Sequence, residues 1–307
     1  MNLDTNIDNN TLLKKDNINF KGKLSRWYRF LLTNKGIFFG SLITFIIIFC
    51  VVFAPLVTTY DPLKQDITKR LTPPMWQDGG SIEHILGTDS MGRDLLTRII
   101  YGGRFSLLLG LTSVLIALMV GTLFGLITGY YGGFLENILM RIVDIQLGFP
   151  FIILVVIILS IAEPTFWVLS ALFSLLLWPG YARVVRSILL SEKSAAYVLA
   201  AKSLGASDFR IIIIYIARNI IPSMLLMSTM DIATIIITEA MLGFVGLGTP
   251  PPAPTWGNIM ADGKNYISTA WWVITFPGVA IWITLFGINL FGDNLQQFVN
   301  PKLRKKY

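Results

Sequence analysis

Six long apolar runs dominate this chain and constrain its fold more than any other feature. They lie at residues 36–60, 105–135, 145–162, 164–189, 224–247 and 268–292. A helix that crosses a bilayer needs about 20 predominantly apolar residues, and most of these runs meet that length. Membrane-spanning strands would instead alternate apolar and polar residues over about ten positions. Because the runs are continuous, they predict an all-α, polytopic membrane protein with six transmembrane helices.

Composition and charge support this class and predict the orientation. Hydrophobic residues make up 54% of the chain and charged residues 14%, whereas soluble domains carry about 25% charged residues. Basic residues flank the outermost runs: Lys14, Lys15, Lys21, Lys23, Arg26, Arg29 and Lys35 before the first, and Lys302, Arg304, Lys305 and Lys306 after the last. The positive-inside rule therefore predicts that both termini are cytoplasmic. The net charge of +7 then reflects topology, and we predict no nucleic-acid partner.

This topology divides the chain into five segments. They are a cytoplasmic N-terminal segment (1–36), a first transmembrane helix (37–60), an extracellular loop with an amphipathic helix (61–104), a five-helix core (105–293) and a basic cytoplasmic tail (294–307). Residues 21–36 are basic and aromatic and predict an interfacial helix. The third and fourth apolar runs are separated by little more than Glu163-Pro164, which predicts a helical hairpin.

Four of the charged residues in or beside the apolar runs are candidate functional residues, because charge there is costly and marks pathways or pairings. Arg141 and Asp144 are three residues apart, so an ion pair on one helix face is favoured over a role in substrate binding. Asp231 and Glu239 are expected to face the protein interior or a water-filled path. Glu239 could contact a cationic group of a substrate, but a hydrogen bond to a neighbouring helix or subunit is the favoured interpretation.

The loops predicted to be extracellular contain a second group of candidate residues. The run from His84 to Asp94 and the proline-rich run from Gly246 to Gly257 carry Asp89, Arg93 and Trp256. These three side chains are candidates for the rim that receives an external partner, and a structured connector is the alternative. His84 is the only histidine and Cys50 the only cysteine, so no metal site is predicted.

Sequence signatures of catalysis are missing. The chain has no G-x-x-x-x-G-K-[ST] loop, no G-x-S-x-G elbow, no H-E-x-x-H and no G-x-G-x-x-G. We therefore expect a subunit that is not an enzyme and that holds no cofactor of its own.

A small-residue segment separates the fourth and fifth apolar runs. A helix is predicted from Ser194 to Leu204, with Gly205 as a left-handed C-cap and a second helix from about Ser207. Its small residues Ala200, Ala201, Gly205 and Ala206 would allow a partner to approach closely, and Lys202 and Asp208 could fix the register. An ordinary connector is the alternative.

Three blocks of the sequence resemble one family. Ala200-Ala201, three residues and then Gly205 resemble the EAA loop of ABC importer permeases. The stretch from Leu86 to Asp94 and the stretch from Glu239 to Gly257 are similar to the dipeptide/oligopeptide/nickel permeases, and together the blocks indicate the C-type subunit. Two departures stand out: Leu199 replaces the family's acidic residue before the two alanines, and Ala217-Arg218 replaces its Leu-Pro.

The resemblance implies a fold, partners and a location. It implies the type I ABC importer permease fold in the bacterial cytoplasmic membrane, with residues 194–222 as the coupling loop. The implied partners are a B-type permease, two cytoplasmic ATPases that carry ATP and Mg, and an external substrate-binding protein. Oligopeptides or dipeptides are the expected substrates, and nickel or a metal chelate is the alternative within the family. An ion-coupled secondary transporter is the rival from another class, since Asp231 and Glu239 partly fit it.

Overall fold

The computed structural model describes residues 35–299, and most of them are helical. The helices are α1 (Lys35–Val52), α2 (Ala54–Val57), α3 (Leu95–Tyr131), α4 (Gly133–Gly148), α5 (Phe151–Ile161), α6 (Phe166–Lys193), α7 (Ala196–Ser203), α8 (Asp208–Val245), α9 (Trp256–Gly263) and α10 (Trp272–Val299). Residues 35–299 form no strand, and their one isolated β-bridge joins Thr88 to Asp94. The all-α prediction is therefore confirmed.

Within residues 35–299, fewer than six helices are long and apolar enough to cross a membrane. Four helices, α3, α6, α8 and α10, are long and apolar enough to cross a membrane, and the pair α4–α5 would make a fifth if it were one span. Helix α1 is a shorter apolar helix within the described residues. The predicted interfacial helix and basic tail lie largely outside residues 35–299.

The third apolar run, predicted as one helix, is broken. Helix α4 ends at Gly148, Pro150 is the N-cap of α5, and the two helices are bent by 89°. Proline disfavours helical geometry in the residue before it, and Phe149 is accordingly extended. The predicted turn at Glu163-Pro164 is present, since α5 ends at Ile161 and α6 begins at Phe166.

The amphipathic stretch after Asp94 is also not a separate surface helix. It forms the first turns of α3, which continues without a break to Tyr131. The carboxylate of Asp94 caps this helix by accepting from the backbone N–H of Thr97 at 2.8 Å.

Helices α3 and α6 pack against each other at close backbone distance. A Cβ added to Gly121 would lie 2.5 Å from both the carbonyl oxygen of Trp178 and the Cβ of Tyr181. A Cβ at Gly125 would lie 2.6 Å from the Cβ of Val185. Small residues permit this approach, and the resulting van der Waals contact is what holds helices together in lipid. The sequence from 121 to 125 thus specifies which face of α3 meets α6.

The two ends of the helix bundle have separate apolar cores. At the end that carries residues 194–207, Leu189, Val198 and Ile211 pack with Val185 of the α3–α6 contact. At the end that carries residues 58–94, the core includes Leu95, Trp256, Ile259, Trp272 and Val273. A third core around Phe173 and Ile235 lies against α5.

The glycine contact between α3 and α6 can be tested by adding one methyl group. We expect Gly121→Ala to lower the free energy of unfolding by about 1–3 kcal/mol, the usual cost of overpacking. Gly278→Ala is the matched control, because a Cβ at this helical glycine meets nothing within 4 Å. Thermal unfolding of the purified protein in detergent, followed by tryptophan fluorescence, measures both. Equal midpoints for the two variants would contradict the close packing.

Candidate functional site

The segment between α6 and α8 ends its helix as the sequence predicts. Helix α7 is closed by Gly205, whose φ is +79°. The N–H of Gly205 donates to the carbonyl of Lys202 at 3.0 Å, and that of Ala206 donates to Ala201 at 3.1 Å. This pair of bonds is a Schellman motif. Ser207 then caps the start of α8, because its hydroxyl accepts from the N–H of Arg210 at 3.4 Å.

The small residues of this segment do not all face outward. Ala201 is buried, and Ala206 packs against the core that contains Val198 and Ile211. Ala200, Lys202, Gly205 and Asp208 are exposed. The close approach allowed by Ala201 and Ala206 is therefore used by the protein's own helices, while the other four predicted residues remain accessible.

Two residues that sequence reasoning missed are the most prominent on this segment. Leu204 is 89% exposed and Phe209 is 76% exposed, on either side of the Gly205 turn. Leu199, which stands where the family's acidic residue was expected, is also exposed. The sequence signal that could have indicated these two residues is their apolar character on either side of the predicted capping glycine. Their exposure gives the segment an apolar tip, defined here as Leu204 and Phe209.

Tyr197 anchors the segment to its neighbours. Its hydroxyl donates to the carboxylate of Glu192 and accepts from the side-chain amide of Asn219 at 3.2 Å. Partial burial, followed by the carboxylate of Glu192, raises the pKa of Tyr197 to about 12. The phenol therefore stays protonated at neutral pH and keeps α7 linked to α6 and α8. Lys193 adds a bond of 2.6 Å from its ammonium to the carbonyl of Tyr130 in α3.

Ion pairs tie α4 to α6. Asp144 accepts from the guanidinium of Arg183 at 2.6 Å, and Glu136 accepts from Arg186. The prediction of an ion pair between Arg141 and Asp144 is wrong, because the carboxylate of Asp144 pairs with Arg183 of α6. A sequence pattern within one helix cannot reveal a competitor that arrives from another helix.

The two acidic residues of α8 have different surroundings. Glu239 is only 1% exposed and accepts from the hydroxyl of Ser106 in α3 at 2.9 Å. The sequence favoured a hydrogen bond from a neighbouring helix for Glu239, and the bond from Ser106 is of this kind. Asp231 is half-buried beside the hydroxyl of Tyr181, which itself donates to Ser228 at 3.4 Å.

A buried ion cluster organises the opposite end of the bundle. The carboxylate of Asp89 accepts from Arg93 at 2.6 Å and also from Arg98. Both arginines reach Asp262 of α9, at 2.9 and 3.0 Å. Asp89, Arg93 and Arg98 are buried, and a charge buried this deeply requires such partners. The cluster therefore joins the loop before α3, the first turns of α3 and α9.

The remaining predicted residues of this end are also internal. Trp256 is buried and donates from its indole N–H to the carbonyl of Ile99 at 2.9 Å. His84 is buried and pairs with Asp94 at 3.0 Å. Asp89, Arg93 and Trp256 thus offer no surface to an external partner in this structure, and they support the loops around them. Exposed apolar side chains of residues 58–94 include Ile67, Trp76 and Ile82.

Exposed charges of this loop pair locally. Lys69 donates to Glu83 at 2.5 Å, and this bond lowers the pKa of the Glu83 carboxyl and raises that of the Lys69 ammonium. The hydroxyl of Thr68 holds the pKa of Asp66 below its usual value. Among residues 35–299, no group of three or more His, Cys, Asp or Glu side chains is placed to hold a metal ion.

The ion cluster yields a stability prediction. Asp89→Asn leaves two buried guanidinium groups with only Asp262, so we expect a loss of about 3–5 kcal/mol of unfolding free energy. Asp262→Asn is the matched control and should cost less, since its side chain is 34% exposed and Asp89 remains in place. Thermal unfolding of the purified protein measures both changes. A larger effect at Asp262 would show that Asp89 is not the centre of the cluster.

Comparisons with known proteins match this architecture. The model of the binding-protein-dependent transport system inner membrane component family matches residues 121–305, and that of the N-terminal transmembrane domain of oligopeptide transport permease C matches residues 24–74.

Curated relatives match nearly the whole chain. The di/tripeptide transport system permease protein of Pseudomonas aeruginosa is 38% identical over 93% of this chain and 94% of its own length. The dipeptide transport system permease protein of Escherichia coli K12 is 38% identical over 92% of this chain and 94% of its own length. A chain of the methionine ABC transporter MetNI, inward-facing, matches with a TM-score of 0.56 at 21% identity over 67% of this chain and 98% of its own; this likeness shows the fold alone. The chain belongs to the family of binding-protein-dependent transport system inner membrane components, multi-pass proteins of the bacterial inner membrane.

Proposed function

We propose that this chain is the C-type permease subunit of an ATP-driven ABC importer that moves dipeptides into the cell. The observation that carries the proposal is the apolar tip at Leu204 and Phe209, held out from the bundle by a capped and anchored segment. The relatives named as dipeptide or di/tripeptide permeases support the substrate class. Longer peptides are the nearest alternative, and nickel or a metal chelate is the next.

The energy source is assigned to partners. The sequence holds no nucleotide-binding loop, so ATP and Mg would be bound by two ATPase subunits, and this chain would not be an enzyme. The family match supports this assignment over an ion-coupled secondary transporter. We propose that a B-type permease completes the translocation path and that an external binding protein delivers the substrate.

The apolar tip is suited to docking in a groove of an ATPase. Fully burying a leucine or phenylalanine side chain stabilises an interface by about 1.5–3 kcal/mol each. A ligand or partner shifts a conformational equilibrium only through interactions that differ between the states. A tip on a rigid segment supplies such a difference, because movement of the ATPase must carry α7 and the start of α8 with it.

The basic residues of the sequence orient this arrangement. The positive-inside rule places residues 194–207 in the cytoplasm, where ATPases are found, and residues 58–94 on the outer side. The exposed Ile67, Trp76 and Ile82 would then form the surface that meets the binding protein. The buried cluster around Asp89 would hold that surface in shape, although its own side chains are not accessible.

The proposed function is tested with the tip and the transported substrate together. Replacing both tip residues in the variant Leu204→Ala/Phe209→Ala should weaken association with the ATPases at least about tenfold, because most of the buried apolar area is lost. Dipeptide uptake by proteoliposomes that contain the whole transporter should fall with it. Co-purification of the ATPases and uptake of radiolabelled dialanine are the two measurements.

Leu190→Ala provides the control for this variant. Leu190 is an exposed leucine near the end of α6 and outside the segment 194–207, so its truncation should leave both measurements unchanged. Full ATPase association by the tip variant would contradict the docking role. Uptake of nickel but not of dialanine by the native transporter would replace the proposed substrate.

A further inference from the structure

Helix α8 carries a narrow polar strip through its apolar surroundings. The strip consists of Asp231, Thr234 and Thr238, which share one side of the helix at 3.6 residues per turn. Thr234 is exposed, and Asp231 and Thr238 are half-buried. The strip extends for about 10 Å along the helix axis, given the rise of 1.5 Å per residue. It therefore lies on the surface of this subunit and not in its core.

The surroundings of the strip differ on its two sides. On one side, Ile235 and Ile236 are fully buried against the rest of the bundle. On the other side, Met230, Ile237 and Met241 are exposed. An aspartate is among the most costly residues to place against lipid. The strip therefore faces protein or water rather than hydrocarbon.

The carboxylate of Asp231 differs in its surroundings from those of Glu136, Asp144 and Glu239. Glu136 and Asp144 are paired with arginines, and Glu239 is enclosed and hydrogen-bonded to Ser106. In the part of the chain that the structure describes, Asp231 forms no ion pair with a lysine, arginine or histidine, and the neighbouring hydroxyl is that of Tyr181. A half-buried carboxylate with hydroxyl neighbours and no cation is complementary to a positively charged ligand.

We propose that this strip binds the protonated amino group of the transported peptide, and this proposal rests on the proposed function. Asp231 accepts from the ammonium group. The hydroxyls of Thr234 and Thr238 already donate to the carbonyls of Met230 and Thr234, at 3.1 and 2.7 Å, so their oxygens are left to accept from substrate N–H groups.

The apolar residues beside the strip suit substrates with varied side chains. Methionine is flexible and adapts to differently shaped apolar partners, and Met230 and Met241 lie on the exposed side. The site thus selects the amino group, which peptides share, and tolerates variation elsewhere. A single carboxylate without a second acidic partner would also bind weakly enough to release its ligand.

The first test measures whether the strip is accessible to water and attracts cations. The chain has one cysteine, Cys50, so Cys50→Ser provides a background for Thr234→Cys in the whole transporter. A cationic methanethiosulfonate should label position 234 about tenfold faster than an anionic one, because of the charge at Asp231. Adding Asp231→Asn should remove the preference. Ile236→Cys, two residues along the same helix and fully buried, is the control and should remain unlabelled.

This labelling decides the proposal without knowledge of the substrate. A residue 234 that no reagent reaches, with or without ATP, would show that the strip is covered by lipid or by the partner permease, and would overturn the proposal. Labelling without charge preference would overturn the role of Asp231.

The second test measures transport. Asp231→Asn should lower uptake of dialanine by about tenfold to a hundredfold, the range that loss of a hydrogen bond to a charged group produces. ATP hydrolysis stimulated by the loaded binding protein should persist, and Asp231→Glu should restore much of the uptake. Loss of the partner permease from purified Asp231→Asn complexes, or unchanged uptake, would overturn the proposal. If native transporter fails to import dialanine, the proposed substrate fails, while the labelling result still decides whether the strip binds cations.

Discussion

The close contact between α3 and α6 is the constraint on which the rest of the structure depends. Glycines at 121 and 125 let the two backbones approach. The two helices lead to functional regions at opposite ends of the bundle. The first turns of α3 hold Arg98 in the ion cluster, whereas α6 leads into the segment with the apolar tip. Because lipid offers helices no hydrophobic reason to associate, such contacts must supply the attraction by packing. The pair links the two ends of the molecule through a rigid body.

Charge is distributed according to the cost of burying it. At the end that carries residues 58–94, two arginines and Asp89 are buried together, and only Asp262 is partly exposed. Such a cluster adds less to stability than its short distances suggest, since desolvation offsets the attraction. It nevertheless fixes one arrangement of three segments, because each arginine bonds to both Asp89 and Asp262. Within the bundle, Glu239 and Asp231 have hydroxyl neighbours in place of cations, and Asp231 is the more exposed of the two.

The apolar runs and the capping glycine were predictable because each depends on local pattern. Run length predicts spanning helices, and Gly205 closes α7 as its left-handed conformation requires. What could not be predicted depends on contacts between segments distant in sequence. Arg183 takes Asp144 away from Arg141, Asp89 and Trp256 turn inward, and Ala201 packs against the protein itself. The tip at Leu204 and Phe209 was missed for the same reason, since the sequence does not show which apolar residues the fold leaves uncovered.

Helix α8 connects the proposed docking site to the proposed ligand site without an intervening loop. Phe209 lies in its first turn and Asp231 about 33 Å away along the axis, at 1.5 Å per residue. Residues Ile211–Ile216 between them are π-helical, a wider winding that interrupts regular α geometry and is often found at functional positions. Beyond the π-helical residues α8 contains Pro222 and is packed through Ile235 and Glu239. Under the proposed function, a displacement at Phe209 would be divided between rewinding of the π-helical residues and movement of the polar strip. A coupling mechanism of this kind would need no change in the close-packed α3–α6 contact, and that pair would be the frame against which α8 moves.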